Sequence, residues 1–400
     1  MSGPDISRRR LLTGGAALLG VAAGAAVTAA VHGDEEVRVE PVHGDDTVPF
    51  HGVHQAGVET APQAHAWFVA LDLVDDADRA AAVRLMRLWT DDAERLTRGV
   101  GPLADQDREL AAHPARLTVT VGFGPSLFAS LGLEHMRPPS LRPLPPFAID
   151  RLDRRWGDAD LLLHVASDDV VTVSHAVRVL TRDARSLATV RWVQRGFLRA
   201  RGTEEAGTTP RNLLGQVDGT VNPVPGTADF ARVVWVHDGP EAFRDGSLLV
   251  LRRIRFDLDR WEQIARADRE QIIGRRIADG APITGGDERT AVDLAATANG
   301  LPVVADFAHV RRARAQNPDE RFLRRGYSYD DSDAASYPGG DTGLLFCAYL
   351  ADIDRQYVPV QRRLAELDLL NRWTTPVGSA VFAILPGCAA GGWLGESVLS

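Results

Sequence analysis

The sequence predicts an α+β fold in which a β-α-β-β-α-β unit occurs twice, with mostly antiparallel sheets and helices packed on one face. Three observations lead there. From about His51 onward, short apolar strand signals alternate with amphipathic helical stretches. Residues 160–180 and 342–364 share one pattern: apolar strand, acidic turn, helix. No Gly-x-Gly-x-x-Gly opens a helix after a strand, so a dinucleotide-binding sheet has no support.

Taken in order, Ala66-Trp67-Phe68-Val69-Ala70-Leu71 reads as a strand, and residues 79–96 as an amphipathic helix. Residues 117–121 form a second strand, closed by Gly122-Phe123-Gly124-Pro125, and the Pro-rich stretch 138–146 is a loop. Residues 161–166 give a strand and 170–180 a helix. In the second half, Leu248-Leu249-Val250-Leu251 runs into a helix near 258–267, and the strand 344–350 leads to a helix near 358–370.

The chain opens differently. Ser7-Arg8-Arg9-Arg10-Leu11-Leu12 precedes a Gly- and Ala-rich apolar run over 11–31, with small residues at Thr28, Ala29 and Ala30. A basic start, apolar middle and small-residue end describe a secretory signal, and paired arginines before Leu-Leu resemble a twin-arginine signal. The reading is a signal peptide over 1–31 and a polar, acidic linker over 32–49. An uncleaved anchor is the alternative, and no other stretch is apolar enough to cross a membrane. The expected location is therefore outside the cytoplasm: periplasm, cell surface or medium.

Composition narrows the chemistry. A net charge of −9 argues against a protein held mainly to nucleic acid. All 45 basic residues are arginine, which removes Schiff-base lysines and Walker-type phosphate loops. Two cysteines, Cys347 and Cys388, exclude a disulfide scaffold and any four-cysteine metal site; their apolar surroundings suit buried free thiols, with a single disulfide as the alternative.

Three segments carry candidate chemistry. The first is Asn212-Leu213-Leu214-Gly215-Gln216-Val217-Asp218-Gly219-Thr220-Val221-Asn222-Pro223, where two glycines bracket an acid in a Gly-x-x-Asp-Gly loop. The second is Asp306-Phe307-Ala308-His309-Val310-Arg311-Arg312-Ala313-Arg314, a nitrogen ligand followed by cations. The third is Phe322-Leu323-Arg324-Arg325-Gly326-Tyr327-Ser328-Tyr329-Asp330. Each alone is more often an ordinary turn or a structural histidine than a functional site.

Together, in this order, with Arg324 fifteen residues after His309, they resemble the dye-decolourising peroxidase family of haem proteins. Phe50-His51-Gly52-Val53-His54-Gln55-Ala56-Gly57-Val58 looks like the opening strand of its exported members, and Gly343-Leu344-Leu345-Phe346 and residues 377–383 resemble its closing strands. The resemblance covers about residues 50–387. It implies two ferredoxin-like domains, 50–215 and 216–400, forming a dimeric α+β barrel, with one haem b held mostly by the second.

The resemblance also implies roles. His309 corresponds to the proximal iron ligand, Asp218 to the distal acid–base residue and Arg324 to the distal arginine. Gly219, Thr220 and Val221 would line the haem edge, and Arg311 would meet a propionate; Arg314 and Arg325 read as surface residues. A carboxylate should hold the second ring nitrogen of His309, yet Arg372 stands where relatives tend to have an acid, leaving Glu366 and Asp368 as candidates. Tyr327, Tyr329, Tyr337 and Trp373 are candidates to relay oxidation outward, with plain packing as the alternative.

The function implied is reduction of hydrogen peroxide with oxidation of organic donors, dyes and phenolics, through an oxyferryl intermediate. An aspartate ionises near pH 4 in model peptides, so such a base predicts a mildly acidic optimum. The rivals are a deferrochelatase that frees iron from haem for iron uptake, and a haem carrier without turnover. Expected partners are peroxide, small organic reductants and the twin-arginine export machinery, with no nucleic acid and no membrane contact beyond the leader; a homo-oligomer stays open.

Overall fold

The computed structural model describes residues 42–335 and 340–400. The strands are β1 (His65–Leu73), β2 (Thr118–Phe123), β3 (Leu161–Ser167), β4 (Ala188–Phe197), β5 (Ser247–Phe256), β6 (Thr297–Ala298), β7 (Leu301–Pro302), β8 (Leu323–Arg324), β9 (Tyr327–Asp330), β10 (Thr342–Leu350) and β11 (Thr374–Ile384). Apart from the β6–β7 hairpin they form one sheet in the order β5-β11-β2-β3-β1-β4-β9-β10-β8, and an added β5–β10 pairing closes it into a ring. Every pairing among the described strands is antiparallel. The ring holds two copies of one arrangement, β2-β3-β1-β4 and β9-β10-β5-β11, each a β-α-β-β-α-β unit of ferredoxin type. The repeat seen at 160–180 and 342–364 is the third strand and second helix of each copy: β3 with the helix Val170–Ala184, and β10 with the helix Val358–Leu367.

Local chemistry explains the helices. Asp78 accepts from Ala81 N at the start of Arg79–Thr97, and Asp169 from Thr172 N at the start of Val170–Ala184, so both begin on a carboxylate cap. Their apolar stripes bury Leu85, Trp89 and Leu96 against Val173 and Leu180, with Trp89 Nε1 donating to Leu180 O at 2.8 Å. A second cluster fills the ring's interior with side chains from both halves, among them Phe68, Leu162, Leu249, Tyr327, Tyr349 and Phe382. A third, around Phe256, Trp261, Ile272 and Ile273, lies in the second half and is joined by Leu214 from the loop before it.

Several expectations are corrected. Residues 50–58 form no strand; the segment makes one bridge, His54 to Pro386, and is held instead by the Gln55 side chain between Val121 and Leu385. β2 runs through Gly122 to Phe123, with Gly122 packed closely against Phe382 and Ile384 of β11. The helix expected at 258–267 is two, Leu258–Glu262 and Arg266–Ile273, and the one at 358–370 ends at Leu367. The described part of the linker, 42–49, is tied down: Ala115 N donates to Gly44 O and Arg116 N to Asp46 O. The leader and Tyr337 lie outside the described residues. Cys347 and Cys388 are free and buried. No helix among the described residues is long and apolar enough to cross a membrane.

Candidate active site

The Gly-x-x-Asp-Gly segment is a tight loop built by its own polar groups. Arg211 bridges Val217, Asn212 N donates to Gln216 O at 3.0 Å, and Asp218 N to Pro210 O at 2.8 Å. Gly219 takes φ +128°, a left-handed conformation that costs a side-chain-bearing residue strain. The Asn212 side chain caps Leu214 N through Oδ1 and donates to Asp218 Oδ2 at 3.3 Å. Asp218 Oδ1 then lies 2.8 Å from Arg324 Nη1, and both side chains are about a quarter exposed, 25% and 27%. The loop's outer flank is held by Glu288, whose Oε1 accepts from Thr209 at 2.6 Å and Thr220 at 2.9 Å.

His309 opens the short helix His309–Ala313. Two contacts fix that helix against its surroundings: Leu369 N donates to Phe307 O at 3.1 Å, and Gly274 (φ +91°) sits where a Cβ would meet Val310 Cγ2 at 2.3 Å. Asp368 Oδ2 lies 2.6 Å from His309 Nδ1, while Asp368 Oδ1 accepts from Leu370 N at 2.9 Å. Asp368 is 3% exposed and His309 29%. Burial pulls the imidazole pKa down more than any other single effect, yet the charge and hydrogen bond of Asp368 together raise it above its ordinary value. The charges of Arg324 and Asp218 also act on His309, in opposite senses, so the three groups share one environment.

The structure therefore brings Asp218, Arg324 and His309 together. It gives other candidates different work. Arg311 donates through Nε and Nη2 to the carbonyls of Val304 and Leu294, pinning a loop to the His309 helix. Thr220 faces Glu288, and Val221 is 65% exposed. Arg325, read as a surface residue, is buried and donates to Thr60 O and Gln63 Oε1, whereas Arg314 is exposed as expected. Glu366 pairs with Arg312, away from His309. A cavity of about 510 Å³ lined by Arg311, Arg312, Arg314 and Arg363 includes none of the three central residues.

Sequence reasoning missed Asn222, Glu288 and Arg275. Burial pushes the Arg275 guanidinium below its ordinary pKa; Glu288's charge opposes this and Arg324's adds to it. Asn222 stood within the first segment, where an amide directly before Pro223 was a signal without an assigned task. The segment 274–290 had no signal beyond glycines and charge.

The donor set fits an iron porphyrin. With Nδ1 of His309 held by Asp368, Nε2 is the remaining nitrogen, and this carboxylate–imidazole arrangement is the usual one for a metal-binding histidine. Among the described residues no group of three or more His, Cys, Asp or Glu is placed to hold a bare ion. A single imidazole suits a metal that arrives with its other ligands. Leu213, Ile254, Leu344, Leu369 and Leu370, packed on the third cluster, are only partly buried and leave apolar surface beside the segment that carries Asp368.

Comparison with known proteins places these observations. Residues 55–198 match the family model for the N-terminal region of Dyp-type peroxidases, and 209–389 that for the C-terminal region. A dye-decolorizing peroxidase of Thermobifida fusca is 37% identical, over 98% of this chain and 97% of that protein. A deferrochelatase of Yersinia pestis is 34% identical, over 98% and 95%. The crystal structure of a DyP-type peroxidase from Cellulomonas bogoriensis is 51% identical, covers 90% of this chain and 100% of that one, and superposes with a TM-score of 0.87.

Proposed function

The chain belongs to the Dyp-type peroxidase family and is a haem-dependent peroxidase acting on peroxide and organic donors, and we propose that His309 would hold the haem iron while Asp218 and Arg324 would handle peroxide. Haem, when bound, supplies the iron at which peroxide is reduced. The rest is work for this chain's side chains. Asp368 fixes the imidazole ring and its tautomer, so that Nε2 presents its lone pair. The Asp218 carboxylate accepts a proton from one peroxide oxygen and delivers it to the departing one. The Arg324 guanidinium, always charged, stabilises the negative charge that develops as the O–O bond breaks. The observation that carries this reading is the 2.8 Å pairing of Asp218 with Arg324 in the same environment as the Asp368-held imidazole.

The test is an absorption spectrum of the purified holoprotein, followed through mixing with one equivalent of hydrogen peroxide. Asp218→Asn and Arg324→Leu should each slow the spectral change by about 100-fold or more, and His309→Ala should release haem on a desalting column. Unchanged peroxide rates in both distal variants would overturn the assignment.

The deferrochelatase relatives support a second reading, release of iron from intact porphyrin. Fluorescence of metal-free porphyrin after incubation with haem would reveal it. The paired arginines at Arg8 and Arg9, before the apolar run, support export through the twin-arginine pathway. Replacing both by lysine should leave the protein in the cytoplasm. The proposed division at 215/216 keeps Asp218, His309 and Arg324 in one half.

A further inference from the structure

Asp218 and Arg324 come from distant segments, and one side chain ties those segments together. The Asn222 amide takes both main-chain groups of Arg324: Arg324 N donates to Asn222 Oδ1 at 3.0 Å, and Asn222 Nδ2 donates to Arg324 O at 2.6 Å, across 102 residues. Asn222 is itself fixed to the acid's loop, its own N–H donating to Gly219 O at 2.9 Å. Arg324 lies in a two-residue strand whose ladder partners are only Ala348 and Tyr349. β8 continues through Arg325, whose N–H donates to Cys347 O at 2.9 Å, into β9, and both strands pair with β10. The groups of Arg324 turned away from β10 meet the Asn222 amide, which copies a rung of a β-ladder between the Gly-x-x-Asp-Gly loop and β8.

We propose that Asn222 is a positioning residue for the peroxide-handling pair: it sets the height of the Arg324 main chain so that the guanidinium meets Asp218 rather than swinging clear. This rests on the reading of Asp218 and Arg324 given above. Asn212 and Glu288 secure the acid's side of the pair, through Asp218 Oδ2 and through Thr209 and Thr220. Asn222 secures the arginine's side. Misplacement by about 1 Å is enough to cost roughly 100-fold in a catalysed step.

The experiment uses the holoenzyme and four variants: Asn222→Ala, Asn222→Asp, Arg324→Leu, and Asn222→Ala combined with Arg324→Leu. Three quantities are read: the second-order rate with hydrogen peroxide by stopped-flow absorption, the steady-state KM for a dye, and the equilibrium affinity for cyanide by spectral titration. Asn222→Ala should slow the peroxide step about 10- to 100-fold, weaken cyanide binding and leave the dye KM unchanged. Asn222→Asp keeps the acceptor for Arg324 N but loses the donor, and should fall between Asn222→Ala and the parent. If Asn222→Ala does not fold, Asn222→Asp is read by the same criteria. In the Arg324→Leu background, removing Asn222 should add nothing, because it acts through Arg324. A parental peroxide rate and cyanide affinity in Asn222→Ala, or a fully additive loss in the double variant, overturns the proposal. Parental rates in Arg324→Leu would instead overturn the reading of the pair, and the positioning role with it.

Discussion

Two oxygens of Asp368 do different jobs, and the division decides which acid serves His309. Oδ1 caps the turn after the last long helix by accepting from Leu370 N, which leaves Oδ2 aimed at Nδ1 of His309. Glu366 is two residues earlier, still inside the helix Val358–Leu367, and faces Arg312. The sequence narrowed the partner to these two; choosing needed the residue at which the helix stops. Arg324 and Arg325 teach the same lesson. Both were visible as a pair, but neighbours in extended chain point to opposite sides, one into the site and one into the barrel, and the sequence does not say which side holds solvent. Asp368→Asn keeps the cap acceptor and removes the charge. It should weaken haem affinity by about 10- to 100-fold and raise the reduction potential, since a neutral partner leaves the imidazole a poorer electron donor. Haem titration of the apoprotein and a potentiometric titration check both; an unchanged potential would deny Asp368 this role.

The helices Arg79–Thr97 and Val170–Ala184 were legible because their apolar stripes recur at helical spacing, but their contact hides an acid pair. Asp92 and Asp183 face each other between the two helices, close enough for each to shift the other's titration. Burial is the largest cause of the rise at Asp183, followed by the neighbouring Asp92 carboxyl, and its pKa is pushed up from 3.8 to about 7. Burial likewise raises Asp92. A carboxyl whose pKa is higher folded than unfolded binds more protons in the native state, so stability falls as pH rises from about 4 toward 7. Asp183→Asn carries a permanent stand-in for the proton. It should raise the melting temperature at pH 8 and change it little at pH 5, read by differential scanning calorimetry of the apoprotein; an equal shift at both values would contradict the raised pKa. Strand β4, by contrast, gave no sequence signal. A bulge at Arg191, between the Ala70–Trp192 and Leu71–Val190 pairs, leaves Thr189, Val190 and Arg191 all exposed and breaks the alternation on which recognition depends.

At the scale of the molecule, the ring closes through two narrow seams. β2 meets β11 through two residue pairs, and β4 meets β9 through one, Phe197 with Ser328. Side chains from one stretch reinforce both. Gln55 donates from Nε2 to Val121 O and Leu385 O, each at 2.8 Å, and accepts from Val121 N at 2.8 Å, spanning the first seam. Gln63 accepts from Arg325, near the second, and donates to Arg116 O. Periodicity located the two halves, but closure depends on amides in a segment with no regular structure, and residues 50–58 were misread as a strand for that reason. Because the interior cluster mixes side chains of both halves, a weakened seam should lower the stability of the whole rather than free one half. Gln55→Leu keeps the volume but leaves the Val121 N–H and the Leu385 carbonyl without their partner, Val121 O keeping the Leu385 N–H, a loss of roughly 2–5 kcal/mol. Urea denaturation followed by far-ultraviolet circular dichroism and by tryptophan fluorescence should give coincident transitions at a lower midpoint. Separate transitions would mean that the half carrying His309 and Arg324 folds without its partner, and that the closed ring is not the unit holding the site.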